Sequence, residues 1–444
     1  MLVDGNIIID SNCTIDSDIT IRGGSVNINT GFTLTITGGF DAPPRKVFNG
    51  DGIVIGIQRT SVEWFGAVGD GVTDDSVACN KAIQATLGVV NFNKYTAGYL
   101  ITQSLIINKP TSIQGTNRPL IKVSASNLLE ISSSDVSFKG FRIDSTSGSR
   151  SHIAHIKTAI STIERIYLDD IHATNCGRLV YDDNHATNII VSLYVTNIQS
   201  RLCRERGVYL RDAFAFIFFK NIMLDYVSVT DSATNDPIVY ISGNEGVFME
   251  DVDILGGTIA GFGLRSGFYI ENSSAVYLTR CFADTLGGYG FRLNNITFAR
   301  LNMITASLCD QHAILFVGNC VDVQGSNVYA GGRVGLTPAT ASMNGVYISD
   351  SCFNVNLSNI TIKSCTGNGV LTDGTTGVMI TGLVSHNNIL RGAFMGGTSS
   401  ILCGAKLTAN TLGNYNLAAN TNHITGVQIS SGALVVNATG PIAA

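Results

Sequence analysis

Four carboxylates fall in one part of the chain where proton-transfer chemistry is conceivable. They are Glu205 in "RLCRERG", Asp225 and Asp231 in "LDYVSVTDSATND", and Asp236. Two acidic side chains on one surface can divide a bond-breaking reaction, one protonating the leaving group and the other activating water or attacking. Glu205 lies between Arg204 and Arg206, whose charges favour its ionised form and suit a base. Tyr226 follows Asp225 and offers a ring face. Arg204, Arg206, Arg265 and Tyr289 add donors and aromatic surface nearby. Taken singly, each carboxylate is an ordinary solvated loop charge, and Asp236 has Arg206 as a plain ion-pair partner. As a group they make an acid and a base. Asp284 is a lesser candidate, standing before Gly290 as Asp231 stands before Pro237.

Whatever positions these groups must be a repeat. From Cys176 onward a small residue followed by alternating apolar positions returns as GRLV (Gly177), GVYL (Gly207), PIVY (Pro237), GFYI (Gly267), GFRL (Gly290), AILF (Ala313), GVYI (Gly345), GVLT (Gly369) and GAFM (Gly392), with a weaker NYNL at Asn414. Successive starts differ by 30, 30, 30, 23, 23, 32, 24, 23 and 22. A coil near 23 residues with side insertions explains the series. Period-two alternation makes the elements strands, and three short strands per coil closed by turns make an all-β fold, a parallel β-helix. Asp182, Asp212, Ser242, Asn272, Asn295, Gly318, Asp350 and Gly374 follow the starts at one offset and read as a stacked left-handed turn. Cys203, Leu286, Cys309 and Cys365 share a column expected to point inward, as do Cys320 and Cys352. Lys220, Glu250 and Arg280 read as a structural ion ladder. The three long coils from Gly177 to Ser266 are the relief in which the carboxylates sit.

Composition agrees with a protein that has much interior. Hydrophobic residues make up 45% and charged ones 14%, with Gly 48 and Pro 7. No apolar run approaches the ~20 residues of a membrane helix. A net charge of −5 without a basic cluster argues against nucleic acid. The ten cysteines form no C-x-x-C pair and read as buried thiols. His152-x-x-His155 lacks further ligands, no phosphate-loop lysine follows any glycine string, and no G-x-S-x-G occurs, so no metal or cofactor is expected. No charged segment followed by an apolar run opens the chain, so no secretory signal is expected.

Three regions are expected. Residues 1–60 alternate as strands up to Pro43-Pro44 and read as a small β module. Residues 61–413 carry the coils. Residues 414–444 form an uncharged strand-prone tail suited to contact between copies of the chain. Between the first two, "EWFGAVGDGVTDDSVACNKAIQATLG" has helix chemistry over about 74–87. Thr73 or Asp74 can cap it, Asp74 and Asp75 suit its positive end, and Gly88 can end it. Cys79, Ala82, Ile83 and Leu87 form its apolar stripe, which reads as a lid on the first coil.

"WFGAVGDGVTDD" before an amphipathic helix resembles the N-terminal signature of the pectate-lyase-like superfamily, and especially of bacteriophage tailspikes. Gly66, Gly69, Asp70, Gly71, Asp74 and Asp75 carry the match. The resemblance implies a right-handed parallel β-helix, a homotrimer seated on the virion tail among other phage tail proteins, and action at the host surface on a bacterial polysaccharide. It does not name catalytic residues. On that footing the carboxylates become candidates for glycoside hydrolysis, and the arginines and tyrosines for saccharide binding. A polysaccharide lyase with a Tyr, Arg, Lys or His base, and a spike that only binds, remain open.

Overall fold

The computed structural model describes the chain apart from residues 94–96, 147–150, 158–161, 183–189, 203–205, 212–213, 227–236, 257–264, 333–342, 350, 397, 413–414, 418–422 and 430–444. Two compact units divide it, Met1–Arg201 and Leu202–Ala444.

In the first unit, Leu2–Val3, Ile19–Ile21 and Phe40–Asp41 pair in parallel, as do Ile7–Ile9 with Val26–Ile28 and Phe48–Asn49, and Cys13–Ile15 with Thr33–Ile36 and Ile53–Ile55. Each turn of the chain thus lays three strands onto the three before, which is a parallel β-helix from the first residues onward. Farther along, Leu105–Ile107, Asn127–Ile131, His152–Ile156 and Val180–Asp182 stack in one parallel sheet. Alternate residues point inward, so Leu105, Ile107, Leu129, Ile131, Ala154, Ile156 and Val180 are buried.

The unit's α-helix, α1 (Ser76–Ala85), buries Cys79, Ala82 and Ile83 as expected. It packs against Ile53–Ile55 and Ile57–Ser61 before it and against Thr86–Phe92 and Leu105–Ile107 after it. One of the two expected caps holds its start, while the part played by Asp75 and the helix's other end differ from expectation. The Asp74 carboxylate accepts the Ser76 N–H at 3.0 Å and the Ser76 hydroxyl at 2.5 Å, so Asp74 does the capping. Asp75 is buried and accepts instead from Val68 N at 2.6 Å and Gly69 N at 3.1 Å. It ties down the glycine loop and caps nothing. Gly88 is no helix end either: Thr86 is already extended, with ψ 149°, and opens a strand containing Gly88. A Cβ at Gly88 would stand 2.9 Å from the Gln58 carbonyl oxygen, which explains the glycine. Leu87, beyond the helix, is exposed.

In the second unit the repeat becomes one parallel sheet. Val208, Val239, Phe268, Phe291, Ile314, Val346, Val370, Ala393 and Tyr415 are register partners in succession. One start moves. Val239 faces Val208, so Ile238 is the equivalent of Gly207, and Pro237 lies one residue outside. With that shift Gly243 (φ 71°) joins Asn272 (51°), Asn295 (55°), Gly318 (68°) and Gly374 (61°) in the left-handed turn column, and Ser242 belongs to the strand. Asp182, in the first unit, is likewise inside its strand and 3% exposed, not in a turn. Asp212 and Asp350 lie outside the described residues. Leu286, Cys309, Cys320, Cys352 and Cys365 are buried, and among the described residues every cysteine is a free thiol.

The remaining strands of this unit form a second, longer parallel sheet that bends between two faces. Left-handed residues mark the bend at Asn221, Asp251, Arg280, Met303, Asn327, Asn359 and Gly382. The ion ladder lies there. Glu250 is in register with Lys220 and bonds it at 2.8 Å, while Arg280 reaches Glu250 at 2.5 Å and Asp251 at 2.6 Å. Half-exposed pairs of this kind are surface structure.

Candidate functional site: an outward carboxylate patch and an aromatic ridge

Past the bend, the second unit's long sheet presents three aspartates on its outer side. Inward positions are apolar: Leu224, Val252, Ile254 and Ala283 are buried. Between them Asp225 pairs in register with Leu255, and Leu255 pairs with Asp284. Asp253 lies two residues before Leu255 on the same side of the strand Gly246–Gly256. With rungs ~4.8 Å apart and ~3.3 Å per residue, Asp253 is one diagonal, about 8 Å, from both Asp225 and Asp284. Burial raises the Asp253 carboxyl above its ordinary value, and the Asp251 charge adds to this.

A second feature stands on the outer side of the repeat sheet, at the third position of each motif. Tyr209 and Tyr240 stack at 5.3 Å, and Tyr240 meets Tyr269 edge-on at 5.5 Å. Guanidinium groups cover the rings: Arg206 lies 4.2 Å from the Tyr209 centroid, Arg211 4.7 Å from the same ring, and Arg292 4.4 Å from Tyr269. The hydroxyls of Tyr240 and Tyr269 both donate to Glu271 at 2.5 Å, and Asn294 Nδ2 donates to it at 3.0 Å. Burial opposes the charge on Glu271, but these three donors and Arg292 outweigh it and hold the carboxyl below its ordinary range. The two phenols are pushed up in turn, by burial first and then by Glu271.

The residues expected from sequence are distributed unevenly. Asp225 and Asp284 come together around Leu255. Arg206 lies on the aromatic ridge, and Tyr289 lies beside it, 5.6 Å below the Arg292 guanidinium. Arg265 stands at the ridge margin, its carbonyl accepting the Gly288 N–H at 2.8 Å. Arg204, Glu205, Asp231 and Asp236 lie outside the described residues, as does the side chain of Tyr226. Spacing likens Asp284 to Asp231, whereas its column leads through Leu255 to Asp225. Asp253 and Glu271 were missed. For the tyrosines a signal existed, since GVYL, PIVY and GFYI all carry one.

The sequence-flagged histidines, in the first unit, are occupied by packing. His155 stacks on Tyr181 at 4.3 Å, and His152 Nδ1 accepts the Arg178 N–H at 3.0 Å. Burial, then Arg178, lowers His152 to about 4. Among the described residues no group of three or more His, Cys, Asp or Glu side chains could hold a metal, and no helix is long and apolar enough to cross a membrane.

Parallel strands stacked coil upon coil make the chain a parallel β-helix. The chain belongs to the rhamnogalacturonase A/epimerase, pectate lyase-like family, whose model matches residues 59–337, more than half of it. No curated protein matches the sequence. Among solved structures, the A-module of mannuronan C-5 epimerase AlgE4 from Azotobacter vinelandii is 12% identical with a TM-score of 0.44, over 87% of this chain and 97% of that one. Tailspike protein 3 of bacteriophage CBA120 is 13% identical with a TM-score of 0.49, over 86% of this chain and 59% of that one, so this chain spans less than two thirds of that tailspike. The Dettilon tailspike protein is 11% identical with a TM-score of 0.44, over 82% of this chain and 70% of that one.

Proposed function

We propose that the chain is a phage tailspike that binds a bacterial surface polysaccharide, whether capsule, exopolysaccharide or O-antigen, and cleaves it by glycoside hydrolysis. The observation that carries this reading is the outward placement of Asp253 one diagonal from Asp225 and from Asp284. A backbone diagonal near 8 Å lets side chains on one face hold their carboxyls about 6.5–9.5 Å apart, the range that leaves room for a water molecule. Asp253, whose carboxyl burial raises above its ordinary value, is the best placed of the three to act as the acid and gives its proton to the glycosidic oxygen as the C–O bond breaks. Asp225 or Asp284, as carboxylate, takes a proton from the water that attacks the anomeric carbon. The Tyr209–Tyr240–Tyr269 ridge with Arg206, Arg292 and Tyr289 supplies ring faces and cations for neighbouring sugars. Glu205, Asp231 and Asp236 are retained as alternates for the base.

A lyase fits less well. Its base would have to lose a proton readily, and the phenols of Tyr240 and Tyr269 are pushed up, by burial first and then by Glu271. We further propose a homotrimer on the virion tail in contact with other tail proteins, with the host surface as its place of action.

The test is incubation with purified bacterial surface polysaccharides. New reducing ends without unsaturated-uronate absorbance support hydrolysis. The absorbance indicates elimination, and an unshortened polymer indicates a binding spike.

A further inference from the structure

On the other side of the bend, the second unit's long sheet carries a groove that the carboxylates do not share. The register stacks Tyr277, Arg300, Gln324, Asn356 and Met379 in one outward column, and Thr279, Asn302, Ser326, Ser358 and Thr381 in the next. Together they line a cavity of about 520 Å³. Tyr277 makes one end aromatic, and its ring continues a stack formed beyond the cavity by Phe248 and Phe218, at successive spacings of 4.8 Å. The rest is amide and hydroxyl, and no carboxylate is among its lining residues.

Arg300 is the charged member. Its guanidinium packs 4.7 Å from the centre of the Phe298 ring. Its Nη1 is buried and has no hydrogen-bond partner among the described residues. Nη1 is closed off from the groove as it is from water, so an anion there would be met by the other N–H donors of the guanidinium, which Arg300 brings to the cavity wall. Beside it, Asn302 Oδ1 accepts from Ser326 Oγ at 3.1 Å and from Asn327 Nδ2 at 3.3 Å, which leaves the Asn302 amide donors for the groove.

The ligand that answers this surface has flat rings for the aromatic end, hydroxyls at a regular pitch for the amide rungs, and an anionic group for Arg300. We infer that the groove is a second glycan-binding site, taking a segment of acidic polysaccharide with a carboxylate or sulfate on Arg300 and hydroxyls on Asn302, Gln324, Ser326 and Asn356. It rests on the polysaccharide reading above but not on the identity of the catalytic carboxylates.

The experiment uses the full chain carrying Asp253→Asn, so that polymers stay intact, on an array of acidic and neutral bacterial capsular polysaccharides. Arg300→Ala in that background weakens binding to acidic members by roughly tenfold or more, Arg300→Lys by less, and Gln324→Ala by a few-fold. Carboxyl reduction of a bound uronate polymer, or desulfation of a bound sulfated one, abolishes the difference that Arg300→Ala makes, with melting temperature confirming the fold of each variant. The proposal is overturned by acidic binding that survives both Arg300→Ala and Gln324→Ala, by binding to neutral members alone, or by no binding anywhere on the array. It is overturned equally if Arg300→Ala changes the sedimentation of the protein without changing glycan binding, because the occupant is then a second copy of the chain. Should Asp253→Asn still cleave, the hydrolase reading fails while the binding comparison on short-contact measurements still reads the groove.

Discussion

Asp225 and Asp284 stand on one outward column, each a single rung from Leu255 and therefore two rungs from each other. Asp253 completes the patch from two residues back along Leu255's own strand. The arrangement depends on coil stacking and not on any contiguous motif. It also sets a stereochemical expectation, because carboxyl separation selects between direct displacement by water and a covalent intermediate.

At a separation near 8 Å the first-formed reducing sugar has the anomeric configuration opposite to that of the cleaved bond. Proton NMR of the earliest products reads this directly. Retention would place the reacting pair elsewhere.

Hydrolysis should lose its alkaline limb when Asp253 is removed. A carboxyl raised by burial and by Asp251 keeps its proton to higher pH, so activity falls as pH rises through that raised value. Asp253→Asn should reduce kcat by about 10²–10⁴ and flatten what remains on the alkaline side. A residual profile of unchanged shape would assign the acid to another group.

Glu271 gives a pH signature in stability. Its folded value lies below the ordinary 4.5. A depressed carboxyl contributes stability that is present above its unfolded value and lost as pH falls toward the folded one. Wild-type melting temperature should therefore drop more steeply below pH about 4.5 than that of Glu271→Gln, whose amide does not titrate. Parallel curves for the two proteins would remove Glu271 from the account.

In the glycine loop the two adjacent aspartates should differ. Asp75→Ala leaves the part-buried Val68 and the buried Gly69 N–H groups without their acceptor and should cost about 2–3 kcal/mol. Asp74→Ala removes a partly exposed cap and should cost about 1 kcal/mol. Urea unfolding of both variants checks the order; the reverse order would contradict the roles given to the two aspartates.

Much of the fold was legible because its causes are local. Alternation at Val208–Arg211 or Phe268–Glu271 signals a strand, and Asn272, Asn295, Gly318 and Gly374 signal left-handed turns at fixed offsets. The error at Pro237 arose because Ile238 stands where other starts have a small residue, leaving the proline before it as the apparent marker, and a one-residue slip cannot be seen from alternation alone. Gly88 was misread because a glycine required by a close carbonyl looks the same in sequence as one that ends a helix. The site was less legible. Asp253 gains its neighbours only when coils stack, since Asp225 and Asp284 are distant in sequence, and "EDVDILG" gives no sign of which acid faces outward beside them. Asp182 shows the converse: its type suggested a turn, while its place is inside a strand and buried.

The most direct measurement is the rate at which new reducing ends appear when a susceptible bacterial polysaccharide is treated with wild type, Asp253→Asn, Asp225→Asn and Asp284→Asn, each shown to melt as the wild type does. The account predicts near-complete loss for Asp253→Asn and a loss of at least about 10²-fold for one of the other two. Full activity in Asp253→Asn, or in both Asp225→Asn and Asp284→Asn, would contradict it.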